Sequence, residues 1–355
     1  MRARRLTASD LMDFSPDQLA GAVLLAPVRL STGQLPKGTR LDREQAESLL
    51  AVARELADPL RVAWADAGEL HENEAATRLA LAVGGIGVEQ RAPRQSRLDL
   101  IARWDGVLHV RVASLTRLNT VDPLEVFTLY HGQAVVAGQV VASVKVAPHL
   151  VSGASVAEGV RIAKEDAPLI EVLPYLPLEV GAIAAEAIDG AGLARFEAGA
   201  RAKVEALGSR FLGTVVVGDA DPVAATEAAR AALVSLIRDR GLRVILVGGV
   251  SAGDPLAPFY AGLQQLGGKV LRRGVPAHPG SMIWLAQLDE SRLLGLPQCG
   301  MFALATAADL VLPRLLTGEA LDAASLADLA HGGVLVRDMR FRFPAYARDL
   351  QAPEG

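Results

Sequence analysis

From residue 168 onward, short uninterrupted apolar runs alternate with longer stretches whose apolar residues recur at helical spacing, which predicts parallel strands joined by crossover helices. The clearest unit is 213–249, GTVVVGDADPVAATEAARAALVSLIRDRGLRVILVGG. Two valine-rich runs bracket a segment in which Ala229, Leu233, Leu236, Ile237 and Arg240 share one helical face. Asp221 offers an N-cap, Pro222 suits the first helical position, and Gly241 stands where a C′ glycine belongs. A right-handed crossover sets the two strands parallel, with their carboxyl ends on one edge. The pattern then predicts a helix over 256–266 closed by Gly267 and Gly268, a strand over 269–272, and hairpin-like strands in 282–289 and 292–297. A long helix over 300–318 should be kinked by Pro313. The tail from His331 alternates like a terminal strand. Its Arg337, Arg340, Arg342 and Arg348 read as a solvated strand face or as contacts for an anion.

The N-terminal half has a different rhythm. Residues 20–66 read as strands followed by a helix ending before Pro59, with Asp42 and Gln45 forming a capping box. His71-Glu72-Asn73-Glu74 opens a short amphipathic helix closed by Gly84-Gly85. Its acids read as helix-dipole partners rather than as a metal or acid/base cluster. Over 97–145 the runs alternate or are β-branched, which predicts an all-β module whose last part resembles the half-barrel repeats of biotinyl and lipoyl domains. Lys145 lies inside a strand-like run rather than at a hairpin tip, so the module reads as a platform. The segment 152–155 reads as a linker. The expected organisation is an α+β region over 1–90, the all-β module over 91–160, an α/β domain over 165–320 and a β tail over 321–355.

Composition narrows the function classes. At 355 residues, 51% of them hydrophobic, the chain can bury sizeable cores in two or three domains. Thirty-six basic against 40 acidic residues leave a net charge of −4, and aromatics are 4%, which speaks against nucleic acid as a partner. The arginine-bearing start is followed by Asp10 and Asp13 and by no apolar leader core, so a cytoplasmic location is expected. The uncharged run 126–144 contains His131, Gly132, Gln133, Gly138 and Gln139 at turn-like intervals, which suits two strands rather than a membrane span. One cysteine, Cys299, excludes a disulfide within the chain. None of the six histidines has metal-ligand spacing.

Candidate chemistry concentrates at 243–255, RVILVGGVSAGDP. Here the strand-like run Val244 to Val247 stops in Gly248-Gly249, followed by Ser251, Gly253 and Asp254. Ligands of open α/β sheets sit just past the carboxyl ends of the strands, and backbone N–H groups of a glycine loop can hold an oxyanion there. Ser251 adds a hydroxyl donor. Asp254 is an acceptor, a metal ligand or a helix N-cap.

With GVPAHPGSM at 274–282, GLPQCGM at 295–301, DLVLPRLLTGE at 309–319 and FEAGARAKVEALGSR before the strand at Gly213, this loop resembles the molybdopterin-binding domain of the MogA and MoeA type. The resemblance covers about 180–319. It implies a three-layer αβα parallel-sheet fold behind a smaller α+β and all-β N-terminal region. It also implies that molybdopterin or the molybdenum cofactor is bound by three strand-end segments. The first is Gly248, Gly249, Val250, Ser251, Gly253 and Asp254; the second is Pro276, Pro279, Gly280 and Ser281; the third is Gly295, Leu296, Pro297 and Gly300. Asp254 and Glu186 are the implied catalytic acids if molybdate is inserted, with Asp254 on Mg²⁺.

Gln298, Cys299 and Gly300 replace the Gly-Asn-Pro of the MoeA loop, the first-strand Thr-Gly-Asp/Asn-Glu signature is reduced to Ala184-Ala185-Glu186, and the Asp-Gly-Tyr-Ala motif is absent. Binding, handling or delivery of the cofactor is therefore favoured over molybdenum transfer or a CinA-like nucleotide pyrophosphate hydrolysis. A homodimer is expected, with molybdoenzymes or other cofactor-biosynthesis proteins as partners. Cys299 reads as a thiol ligand at a helix start or as a partly buried small residue, and His278 as a phosphate contact or a turn residue.

Overall fold

The valine-rich runs lie at the centre of a six-stranded sheet in the C-terminal half of the chain. A computed structural model describes residues 1–30, 33–56, 58–93, 97–302 and 305–348, apart from the side chains of Gln298 and Cys299. The chain has mixed α/β structure with several sheets, and it divides into two units. One comprises residues 1–104, 109–131 and 137–172, the other 105–108, 132–136 and the chain from Leu173 onward.

In the first unit, β1 (Arg2–Leu6), β2 (Val23–Leu24) and the hairpin β3 (Val28–Leu30) and β4 (Gly33–Leu35) precede α1 (Arg43–Ala51), whose Asp42–Gln45 capping box forms as the spacing predicts. β5 (Leu60–Trp64) pairs antiparallel with both β1 and β2. α2 (Glu72–Val83) starts at His71, whose ring accepts the Asn73 N–H. The expectation that its first-turn acids serve only the dipole needs amending. Glu72 is 2% exposed and its carboxylate meets His149 Nδ1 at 2.7 Å, a pairing from 77 residues away that local spacing cannot reveal.

β6 (Val88–Gln90), β7 (Arg97–Ala102), β8 (Leu124–Thr128) and β9 (Val140–Val146) form an antiparallel sheet, with Lys145 inside β9. The segment is not all-β. Between the strands lies α3 (Val112–Leu118), because Ser114, Leu115 and Leu118 turn to one side at helical spacing and Asn119 stops the helix, its amide bonding both the N–H and the C=O of Val126. The proposed linker at 152–155 instead starts α4 (Gly153–Glu165).

The second unit is built on β10 (Glu179–Ala184), α5 (Gly190–Glu205), β11 (Arg210–Val216), α6 (Pro222–Leu233), β12 (Val244–Gly248), α7 (Pro258–Gln265), β13 (Lys269–Arg273), β14 (Trp284–Leu288), β15 (Ser291–Leu296), α8 (Gln298–Phe302) and α9 (Ala308–Leu316). The strand order is β11-β10-β12-β15-β14-β13. β10, β11, β12 and β15 run parallel, whereas β14 pairs antiparallel with both β15 and β13, so the sheet is mixed rather than purely parallel. The short turn at Asp289 and Glu290 forces the reversal that the hairpin-like pattern predicts.

Every residue of β12 is buried. Val244 and Leu246 join one apolar cluster while Ile245 and Val247 join another, as opposite faces of a strand require. Ala229, Leu233, Leu236 and Ile237 are buried with the second cluster, and Arg240, expected on that face, is exposed.

Two expectations for the C-terminal region fail. The long helix is instead α8 and α9, with 303–304 outside the described residues, and Pro313 sits inside α9. The tail is not a strand: it forms a short helix Ala323–Ala327, a 3₁₀ turn Arg337–Arg342 and a last turn Ala345–Arg348. Its arginines explain the difference. Arg342 is buried and donates to the Gly332 carbonyl, while Arg348 donates to the Phe343 carbonyl at 2.6 Å, so these side chains satisfy bent backbone instead of lining a solvated strand. Among the described residues, no helix is long and apolar enough to cross a membrane.

Candidate functional site

The parallel register aligns Ala184, Gly248 and Leu296, so β10, β12 and β15 end together on one sheet edge. The ladder continues one step beyond. Ala185 donates to Gly248 and Gly249 to Leu296, at 2.9 and 3.0 Å, and then the loops diverge. Gly249 turns the chain with φ +85°, a conformation that a side chain disfavours.

The space beside these glycines is filled by the protein itself. A Cβ on Gly248 would lie 2.7 Å from Met301 Cε, and one on Gly249 would lie 2.5 Å from Glu186 Cγ. On the neighbouring loop, a Cβ on Gly218 would lie 2.2 Å from the Glu186 carbonyl carbon. The strand-end glycines therefore make room for Glu186 and Met301. Gly253 is different: it is exposed, and its nearest neighbour is the Met282 methyl at 3.3 Å from a Cβ.

The loop after β12 is braced by its own bonds. The Val250 carbonyl accepts the Trp284 indole N–H at 2.9 Å, and the Ser251 carbonyl accepts the Tyr260 hydroxyl at 3.2 Å. Ser251 Oγ accepts the Gly253 N–H at 3.1 Å. Asp254 is exposed and accepts the Leu256 N–H at 3.0 Å, making an Asx turn. It is not the N-cap of α7, a position held by Ala257.

Glu186 is half-buried, and its burial raises the carboxyl above the ordinary carboxylate value of 4.5. A folded-state pKa raised in this way disfavours the charged form in the native protein, so stability falls as pH rises from the unfolded carboxylate value through the folded one. Replacing Glu186 by Gln removes that loss. The Glu186→Gln protein should match the parent's melting temperature below pH 4 and exceed it at pH 7, and a scanning-calorimetry series over that range checks the divergence.

The second segment packs through its backbone. The Pro279 carbonyl accepts the Ala307 N–H and the Ser281 carbonyl accepts that of Val275, at 2.8 and 2.9 Å. Gly280 takes φ +102° against Ala307. Pro276 is half-buried, and His278 is exposed with its backbone bonded to Gly333 and Leu335. Met282 brings this segment's end to Gly253.

In the third segment, Gly295 lies within β15, where a Cβ would fall 1.9 Å from the Trp284 indole. Its lack of a side chain seats that ring. Leu296 and Pro297 are buried, and the Pro297 carbonyl starts α8 by accepting the Gly300 and Met301 N–H groups. The Cys299 thiol lies outside the described side chains.

Leu296, Gly300 and Met301 also line a small internal cavity together with Lys203 and Asp309. Lys203 and Asp309 stand 106 positions apart in the chain, and local sequence does not bring them together. Lys203 Nζ meets Asp309 Oδ1 at 2.9 Å with side-chain exposures of 7% and 0%. Thr306 N–H and the Tyr346 hydroxyl donate to the same carboxylate at 2.9 and 3.0 Å. Burial and the Asp309 charge hold the Tyr346 phenol well above its ordinary pKa. The Thr306-x-x-Asp309 spacing of a capping box was the available signal.

Among the described residues, no three His, Cys, Asp or Glu side chains converge to hold a metal ion. What the edge offers is a braced loop with one hydroxyl, one exposed carboxylate and one desolvated carboxyl.

No family model and no curated protein matches this chain. Among solved structures it is similar to the molybdopterin biosynthesis enzyme MoaB from Thermus thermophilus, with 18% identity over 40% of this chain and 98% of that one, at a TM-score of 0.26. It is similar to a molybdopterin biosynthesis MoeA protein from Pyrococcus horikosii, with 12% identity over 73% of this chain and 80% of that one, at a TM-score of 0.26. A NadC deletion mutant gives 15% identity over 47% and 69%, at a TM-score of 0.16.

Proposed function

We propose that this protein binds molybdopterin or the molybdenum cofactor on the strand-end loops of its C-terminal unit and handles or delivers it within the cytoplasm. The observation that carries this reading is the alignment of Ala184, Gly248 and Leu296, which gathers Glu186, the Gly248–Asp254 loop and the Pro297–Gly300 turn on one edge. These are the segments that the motif resemblance implicates. In this reading the domain is a three-layer αβα unit over about 165–320, the protein works as a homodimer, and its partners are molybdoenzymes or other cofactor-biosynthesis proteins.

Binding without molybdenum transfer is the better-supported form. Charge on molybdate and phosphate must be met by cations. Asp254 already accepts the Leu256 N–H, and among the described residues no three His, Cys, Asp or Glu side chains gather to hold a cation. The test is purification from a host competent in cofactor synthesis, followed by assay of the protein for a fluorescent pterin, nucleotide and molybdenum. Absence of any pterin from protein saturated with purified molybdopterin would sink the proposal.

Ser251 supports this reading through loop shape as much as through contact. Ser251→Ala removes the acceptor for Gly253 N–H and one donor for the ligand. It should weaken pterin binding a few-fold to about tenfold, or roughly 0.5–1.5 kcal/mol, by titration calorimetry with little change in melting temperature.

A further inference from the structure

The N-terminal unit carries a surface cleft of its own, about 760 Å³ in volume, lined by Arg5, Arg29 and Arg61 with Glu55 and Asp58. The β1–β5 register sets Arg5 directly opposite Arg61, so the two side chains leave the sheet on the same face. Like charges in that position oppose strand pairing. Arg29 reaches the same cleft from the β3–β4 hairpin, where it stands opposite Gln34.

Several arginines of this unit are matched with carboxylates, among them Arg43 with Asp17 and Glu47, Arg78 with Glu74, Arg97 with Asp99, and Arg103 with Glu89. Among the described residues, Arg5, Arg29 and Arg61 form no ion pair and no side-chain hydrogen bond, although Glu55 and Asp58 share their cleft. Three guanidinium groups free of ion pairs on the lining of a concave site of ligand size provide forked donors that match phosphate oxygens. The two carboxylates provide acceptors for the polar hydrogens of an attached organic group.

We propose that this cleft binds a small phosphorylated molecule, with Arg5, Arg29 and Arg61 on the phosphate and Glu55 and Asp58 on the remainder. None of these residues belongs to the strand-end loops, so this site stands or falls apart from the pterin reading.

The test is titration calorimetry of the full chain with inorganic pyrophosphate at low ionic strength, followed by ADP. The expected result is one site per chain for each probe, with Arg29→Gln and Arg61→Gln each weakening pyrophosphate binding about tenfold. Arg103→Gln, whose guanidinium pairs with Glu89, should leave it unchanged. A Glu55→Gln, Asp58→Asn double variant should weaken ADP while sparing pyrophosphate. Gly249→Val, if folded, should bind pyrophosphate like the parent, which separates this cleft from the strand-end site. Far-ultraviolet circular dichroism confirms that the arginine variants are folded, and loss of pyrophosphate binding by the parent between about 50 and 500 mM salt supplies a readout that needs no variant. No heat at millimolar pyrophosphate, affinity indifferent to both arginine substitutions, or binding of heparin that pyrophosphate cannot displace would each overturn the proposal.

Discussion

Gly249→Val should abolish pterin binding and lower the melting temperature of the C-terminal unit. Two costs combine. At φ +85° a β-branched residue is strained by roughly 1–3 kcal/mol, and its side chain would enter the space of Glu186 Cβ, Cγ and Cδ, all within 2.9 Å of an added Cβ. Overpacking of this kind typically costs a further ~1–3 kcal/mol. The added group must push Glu186 out of its half-buried position, and the loop after β12 must move with it.

A second substitution separates strain from crowding. Gly249→Ala in a Glu186→Ala background keeps the positive-φ penalty but removes the Cγ and Cδ contacts, leaving only the Cβ at 2.9 Å, so it should recover part of the melting temperature. Gly253→Ala, where the nearest neighbour is a flexible methionine methyl, should leave folding nearly unchanged. Calorimetric titration with molybdopterin on each folded variant decides the issue. Normal binding by folded Gly249→Val would show that the ligand does not sit on this loop.

Gly249 also marks where sequence reading reaches its limit. A valine run ending in two glycines predicts a strand with a tight turn, and the structure has that turn at the expected residue. The same pattern suggests that the missing Cβ admits a ligand. The structure instead gives the space to Glu186 and Met301, which lie 63 and 52 positions away in the chain. Local pattern specifies backbone conformation. Which atoms occupy the space beside that backbone depends on packing between distant segments.

The other differences share this cause. The alternation in the tail looked like a strand because period two is visible in sequence, but Arg342 and Arg348 bond to carbonyls of bent backbone. Val112 to Leu118 follows an alternating run and still turns helical, since Asn119 can end a helix while tying down Val126. Caps, by contrast, were legible. Asp42 with Gln45 and Asp221 with Pro222 act within four residues, and the structure has them where the spacing predicts.

The buried pair Lys203–Asp309 yields the other large effect. All nine residues of α9 are buried, so Asp309 has no route to solvent and must be satisfied inside. Its carboxylate receives Lys203, the Thr306 N–H and the Tyr346 hydroxyl, which fixes α5, α9 and the last turn of the tail to one another. Asp309→Asn keeps the shape but removes the negative charge that the buried Lys203 ammonium meets at 2.9 Å, and should cost about 3–5 kcal/mol. For a unit of this size that is a fall in melting temperature on the order of 10 °C. Lys203→Met should cost less, because the carboxylate left behind retains its backbone and hydroxyl donors. Combining the two removes both charges, and the double variant should be more stable than the sum of the single losses implies, by about 1–3 kcal/mol. Scanning calorimetry of the four proteins closes the cycle. If the losses simply add, or if Asp309→Asn costs under about 1 kcal/mol, the pair does not hold these elements together. At temperatures well below melting, pterin binding by the folded Lys203→Met protein should match the parent, since the pair touches Gly300 and Met301 only through the cavity behind them.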